Sequence, residues 1–132
     1  VLAGARTADG KRLADVMALL RQGRLPALQP SPENTTIGVV ATNAALTKAQ
    51  ASKLAQMAHD GLARAIQPVH LPSDGDTIFA LATGRWKGKV EGTLAGLIGA
   101  LAADLMAQAV VSAILHARSI PGYPAYTDFR GA

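Results

Sequence analysis

The chain has 132 residues, 49% of them hydrophobic but only 4% aromatic, with no cysteine and a formal net charge of +4. That length suits one domain or a piece of a larger one, and the apolar half, mostly Ala, Leu and Val, must pack as a close core of small side chains. The absence of cysteine excludes a disulfide framework and a thiolate metal site; the scattered basic residues, densest at Arg85, Lys87 and Lys89 around Trp86, do not form a nucleic-acid stripe.

The opening "VLAGARTADGKR" lacks the charged start and apolar block of a secretory signal. It also lacks an initiating Met, so the chain is expected to be the later part of a longer product, with a cytoplasmic location. "TADGKRLADVMALLRQG" places Leu13, Val16, Met17, Leu19 and Leu20 at helical spacing and ends on Gly23, which predicts a short amphipathic helix. Pro26, Pro30 and Pro32 then break regular structure and predict an exposed linker where cleavage is sterically easy.

"TTIGVVATN" is β-branched and bounded by turn formers, which predicts a strand over Thr36 to Thr42. Thr47 and Gln50 have capping-box spacing, and Leu54, Met57, Ala58, Leu62, Ala65 and Ile66 fall on one helical face before Pro68 stops it. A turn-rich "PVHLPSDGD" leads into a second strand, "TIFALAT".

Residues 93–115 are almost continuously apolar, long enough for a membrane span. Asp104 at the midpoint would cost about 2.5–3.5 kcal/mol there, so the reading preferred is a long buried helix, thinned by Gly92, Gly96 and Gly99, and no membrane partner. The tail "SIPGYPAYTDFRGA" is irregular. The order strand, helix, strand, helix predicts an α/β layered fold, and two strands do not complete a sheet.

Asn34-Thr35-Thr36 admits two readings. Asn34 closes a turn and the threonines begin a strand, or the Asn34–Thr35 bond is cut and Thr35 becomes a nucleophile. A Thr hydroxyl needs a base, and the residue's own freed α-amine, with an ordinary pKa of about 7.7–8.0, suits neutral pH. Such a design requires an accessible linker before the Thr and a strand that holds it. Other sites are dismissed. There is no G-x-S-x-G, H-E-x-x-H or phosphate-binding glycine loop. Asp74-Gly75-Asp76 suggests a calcium loop, but Arg85 stands where such a loop needs its bidentate Glu. His59 and His70 lack ligand-like spacing and read as structural or surface residues. The triplet also matches a glycosylation sequon, which a cysteine-free chain without a visible signal supports poorly.

Asn34 to Gly84, "NTTIGVVATNAALTKAQASKLAQMAHDGLARAIQPVHLPSDGDTIFALATG", resembles the self-cleaving P1 family of peptidases. That family includes the L-aminopeptidase/D-esterase, the β-peptidyl aminopeptidases and the nylon-oligomer hydrolases. The likeness covers the strand at the cut, the next helix, the H-x-x-x-D-G-D-T turn and the second strand; the flanks match more loosely. Asn34-Thr35 and the pair Asp74 and Asp76 resemble the nylon-hydrolase type, whereas the aminopeptidase type is usually cut between Gly and Ser.

The resemblance implies a four-layer αββα sandwich, also found in the ornithine acetyltransferases, only part of which lies in this chain. Residues 1–34 would end the upstream part and residues 35–132 would form the nucleophile-bearing part. It implies self-cleavage between Asn34 and Thr35, and amide or peptide hydrolysis by Thr35 with Asp74 and Asp76 orienting the amine and hydroxyl. The family's catalytic Lys and Asn lie upstream of the cut, and no lysine here is assigned that role. No metal or organic cofactor is implied. The partners implied are the upstream part of the same precursor, an amide or peptide substrate, and further copies in a dimer or tetramer. A Thr-nucleophile acyltransferase and a non-catalytic assembly module remain open as alternatives.

Overall fold

The computed structural model describes residues 1–24 and 35–129. The proline-rich linker and Asn34 lie outside the described residues. The chain groups into two compact units, Pro32–Gln108 and the two chain ends, Val1–Ser31 with Ala109–Ala132.

The Pro32–Gln108 unit is built on a strand–helix–strand run. The first strand, β1, covers Ile37–Thr42. A helix covers Lys48–Ala65 and the second strand, β2, covers Thr77–Ala82. The strands pair parallel, from Ile37 opposite Thr77 to Thr42 opposite Ala82. A parallel pair needs a long crossover between its members, and the helix supplies it. The helix begins as its sequence predicts. Thr47 accepts from the Gln50 amide, and the Gln50 side chain accepts from the Thr47 amide. Gln50 Nε2 also donates to the Val90 carbonyl at 2.7 Å, which ties the later loop to the same cap.

The helix buries Leu54, Ala58, Gly61 and Leu62. It packs on the sheet face that carries Val40, Ile78 and Ala80. The other face is apolar and open: Ile37 is 72% exposed, Val39 63%, Phe79 58% and Leu81 56%. Parallel sheets are ordinarily covered on both faces, so this is the half-covered side of a layered α/β arrangement.

The shorter helix near the chain start is α1, Val16–Arg21; the crossover helix is α2, and the last long helix, Thr93–His116, is α3. Small residues on both helices decide where α3 touches α2. A Cβ on Gly61 would strike the Ala103 carbonyl, and one on Gly99 would strike the Met57 sulfur. Ala102, Ala103 and Met106 are buried on that face. Gly92 and Gly96 face open space and do not contribute. The expectation of a long buried helix needs correction, because Leu97, Leu101 and Leu105 are 56–62% exposed. By length and composition α3 remains able to cross a membrane. Asp104 is exposed and accepts from Gln108 Nε2 at 2.7 Å.

In the unit formed by the chain ends, α1 is shorter than its apolar spacing predicts. Asp15 caps it by accepting from the Ala18 amide at 2.9 Å. Leu13 is not helical; it forms an antiparallel bridge with Arg6. The tail turns back at Gly122, where Ile120 bridges Tyr123, and ends in a 3-10 turn over Tyr126–Phe129.

Candidate active site

The residues singled out in the sequence come together where β1 and β2 begin. Thr35 lies two positions before β1, and Asp74-Gly75-Asp76 run directly into β2. The ladder extends past the formal strand ends, since the Thr77 amide donates to the Thr36 carbonyl at 2.9 Å. Carried back by the same register, Thr35 falls beside Gly75. A Cβ built on Gly75 would lie 2.7 Å from Thr35 Oγ1. The hydroxyl therefore rests against bare backbone at a point where any side chain would displace it. Thr35 is itself exposed, at the open start of the strand pair.

Asp76 reaches the same place from the other strand. Its Oδ1 accepts from the Thr36 amide at 2.9 Å. That amide belongs to the peptide plane joining Thr35 to Thr36, so the carboxylate holds the backbone on which the Thr35 side chain is mounted. Oδ2 of the same carboxylate lies 3.1 Å from His70 Nδ1, and the Asp76 side chain is only 7% exposed. Asp74 is placed differently. Its Oδ2 accepts from the Leu71 amide at 2.8 Å while its own amide donates to the Leu71 carbonyl, also at 2.8 Å. It closes the Leu71–Asp74 turn and presents Gly75 to Thr35. The two aspartates thus share a site but not a contact.

Two residues that sequence spacing left apart belong to the arrangement. His70 has φ 55, the left-handed conformation, which costs a residue with a Cβ about 1–2 kcal/mol. Its ring meets that of His59 on α2 edge to face, with centroids 4.9 Å apart. His59, His70 and Asp76 therefore form one continuous contact from the crossover helix to the start of β1. The pattern H-x-x-x-D-G-D-T carried a signal for this, because it places His70 at the entrance to the turn that Asp74 closes. Among the described residues no cluster of His, Asp and Glu is arranged to hold a metal ion.

Chemically, the arrangement offers an accessible hydroxyl at the N-terminal edge of a parallel pair, a nearly buried carboxylate fixing its backbone, and an imidazole on that carboxylate. A family profile described as peptidase family S58 matches residues 3–127. An uncharacterized aminopeptidase of Mycobacterium tuberculosis is 49% identical over 113 residues, which covers 77% of this chain and 33% of that protein. An uncharacterized aminopeptidase of Mycobacterium leprae is 48% identical over 110 residues, 75% of this chain and 30% of its own. A 6-aminohexanoate-oligomer endohydrolase of Paenarthrobacter ureafaciens is 35% identical over 88 residues, 61% of this chain and 25% of its own. The chain spans about a third of the length of the mycobacterial relatives.

Proposed function

This chain belongs to peptidase family S58, and we propose on that basis that it carries the nucleophile of an amide or peptide hydrolase that cuts itself between Asn34 and Thr35. The observation that carries this reading is the seating of Thr35 Oγ1 against Gly75, with the following peptide held by Asp76. A strand start would not require bare backbone opposite its first hydroxyl. A hydroxyl that must reach a carbonyl beside the cut needs that room.

In the proposed sequence, Thr35 Oγ attacks the carbonyl of Asn34 in the precursor, the hydroxyl proton passes to the Thr35 nitrogen, and the bond between that nitrogen and the Asn34 carbonyl carbon breaks. The ester so formed is hydrolysed by water, which leaves Thr35 with a free α-amine. In turnover the same oxygen attacks the substrate amide carbonyl while the α-amine takes its proton and passes it to the leaving amine. Water then releases the acyl group and restores the hydroxyl. Asp76 fixes the Thr35–Thr36 peptide, and Asp74 holds the turn that brings Gly75 and Asp76 to it. No metal or cofactor takes part in this scheme.

An upstream segment of the same precursor is proposed to cover the open face of β1 and β2, completing a four-layer αββα sandwich that assembles further as a dimer or tetramer. The aminopeptidase and endohydrolase relatives suggest two substrate classes, amino-acid amides and 6-aminohexanoate oligomers. The test is the intact mass of the purified full-length protein, followed by turnover of an L-amino acid p-nitroanilide and a linear 6-aminohexanoate oligomer. A C-terminal fragment beginning at Thr35 is expected, and Thr35→Ala should be neither cut nor active. An active enzyme with a single uncut mass would refute the reading. Activity should rise with pH as the α-amine loses its proton, around its ordinary value of about 7.7–8.0.

A further inference from the structure

Asp76 can hold the Thr35–Thr36 peptide steadily only if its carboxylate is itself prevented from turning. The terminal torsion of an Asp side chain is broad, and one hydrogen bond from the Thr36 amide leaves the second oxygen to swing. In this structure that second oxygen faces His70 Nδ1 at 3.1 Å. An ionised carboxylate only accepts, so His70 serves it with an Nδ1–H, present both in the imidazolium and in one neutral tautomer. His70 makes this contact from a left-handed backbone, at a turn position where Gly or Asn would be the unstrained choice. The ring is then braced edge-on by His59, which α2 carries.

We propose that His70 is a positioning residue for the nucleophile. Its Nδ1–H locks the Asp76 carboxylate, the carboxylate locks the Thr35–Thr36 peptide, and that peptide sets the direction of Thr35 Oγ1 over Gly75. His70 touches neither substrate nor reacting atom in this account. The inference deepens the preceding section and rests on Thr35 being the nucleophile.

Three substitutions in the full-length protein separate the hydrogen bond from the backbone strain. In His70→Asn the amide nitrogen stands where Nδ1 stood, and Asn accepts the left-handed conformation. In His70→Gly the strain is relieved and the donor is lost. In His70→Gln the amide nitrogen is carried out to the Nε2 position. The readouts are the self-cleavage rate, followed by intact mass from the moment of synthesis, and the melting temperature. We expect His70→Asn to stay within roughly threefold of the parent rate, and His70→Gly and His70→Gln to fall about tenfold, the worth of one charge-assisted hydrogen bond. The melting temperature of His70→Gly should be unchanged or higher.

Parent-like cleavage in His70→Gly, or a His70→Asn rate as low as that of His70→Gly, would overturn the proposal. So would rates that simply follow melting temperature across the three variants. Thr35→Ala keeps the two levels distinct. If Thr35→Ala is still cut, the nucleophile assignment fails; if it is uncut while His70→Gly cuts at the parent rate, only the role of His70 fails.

Discussion

Replacing Gly75 by Ala tests the seating of the proposed nucleophile, Thr35, with one added methyl group. The new Cβ would lie 3.6 Å from Thr35 Cγ2 and 3.7 Å from Thr35 Cβ, both ordinary contacts, but 2.7 Å from Oγ1. With an acceptable separation of about 3.5 Å, the oxygen must retreat by about 0.8 Å or leave by rotation about χ1. Either response is structurally inexpensive, because Thr35 is exposed and its side chain is short. Catalytically it is not, since a displacement near 1 Å costs on the order of 100-fold. We expect self-cleavage and substrate turnover in Gly75→Ala to fall together by about 30- to 100-fold, or about 2–3 kcal/mol of activation free energy. The fold should not suffer. Gly75 is exposed and not left-handed, so Ala adds only a restriction of the unfolded chain, about 0.4–1 kcal/mol in its favour. The assay is a mass time course on the full-length variant beside its melting temperature. Cleavage and turnover within twofold of the parent would refute the seating, and a large fall in melting temperature would show that Gly75 serves the fold instead.

Thr36 offers its amide, not its side chain, to Asp76, so Thr36→Val should still be processed, while Thr35→Ser should retain part of both activities; processed Thr35→Ala beside inactive Thr36→Val would move the nucleophile by one residue. Leu62 is fully buried on α2, and Leu62→Ala should cost about 2–5 kcal/mol in urea denaturation; a loss under 1 kcal/mol would mean that the site collapses around the missing methyl groups. Residues 35–132 expressed alone should aggregate in light scattering, because Ile37, Val39, Phe79 and Leu81 form one open apolar face. A soluble and fully active fragment would show that nothing upstream is needed to cover that face.

What the sequence revealed follows from how local each signal was. The capping box of Thr47 and Gln50 needs only residues three apart, and it appears as read. The two strands begin within one position of their expected starts, because β-branched runs bounded by turn formers are local as well. Leu13 keeps helical spacing yet stays outside α1, because the Asp15 cap and the bridge to Arg6 outweigh that spacing. The burial of α3 is not legible in the sequence, because a helix apolar on all sides does not specify which face is covered. Thr35 stands out from its linker, its strand and its chemistry, and Asp74 and Asp76 by resemblance, but their division of labour is not legible there. It depends on the parallel register, which puts Asp76 on the Thr36 amide and leaves Asp74 in its own turn. His70 reads in the sequence only as a structural or surface residue for the same reason. Its link to Asp76 requires a left-handed backbone, and its link to His59 requires the whole crossover helix to fold back.

The parallel register also determines where the chain tolerates insertions and deletions. Thr36 and Asp76 are separated by 40 positions, yet nothing in their alignment depends on that number. The ladder from Ile37–Thr77 to Thr42–Ala82 fixes it. Residues added or removed in the connection between Ile66 and Val69 would lengthen or shorten a detour without moving either end of the pair. A single residue inserted between Asp76 and Thr77 would carry Gly75 about 3.3 Å further along its strand and turn the Asp76 side chain to the opposite face. Asp76 would then lose Thr36, and Thr35 would lose its neighbour. Within one connection, the same change in length leaves the pair aligned before His70 and breaks it between Asp76 and Thr77.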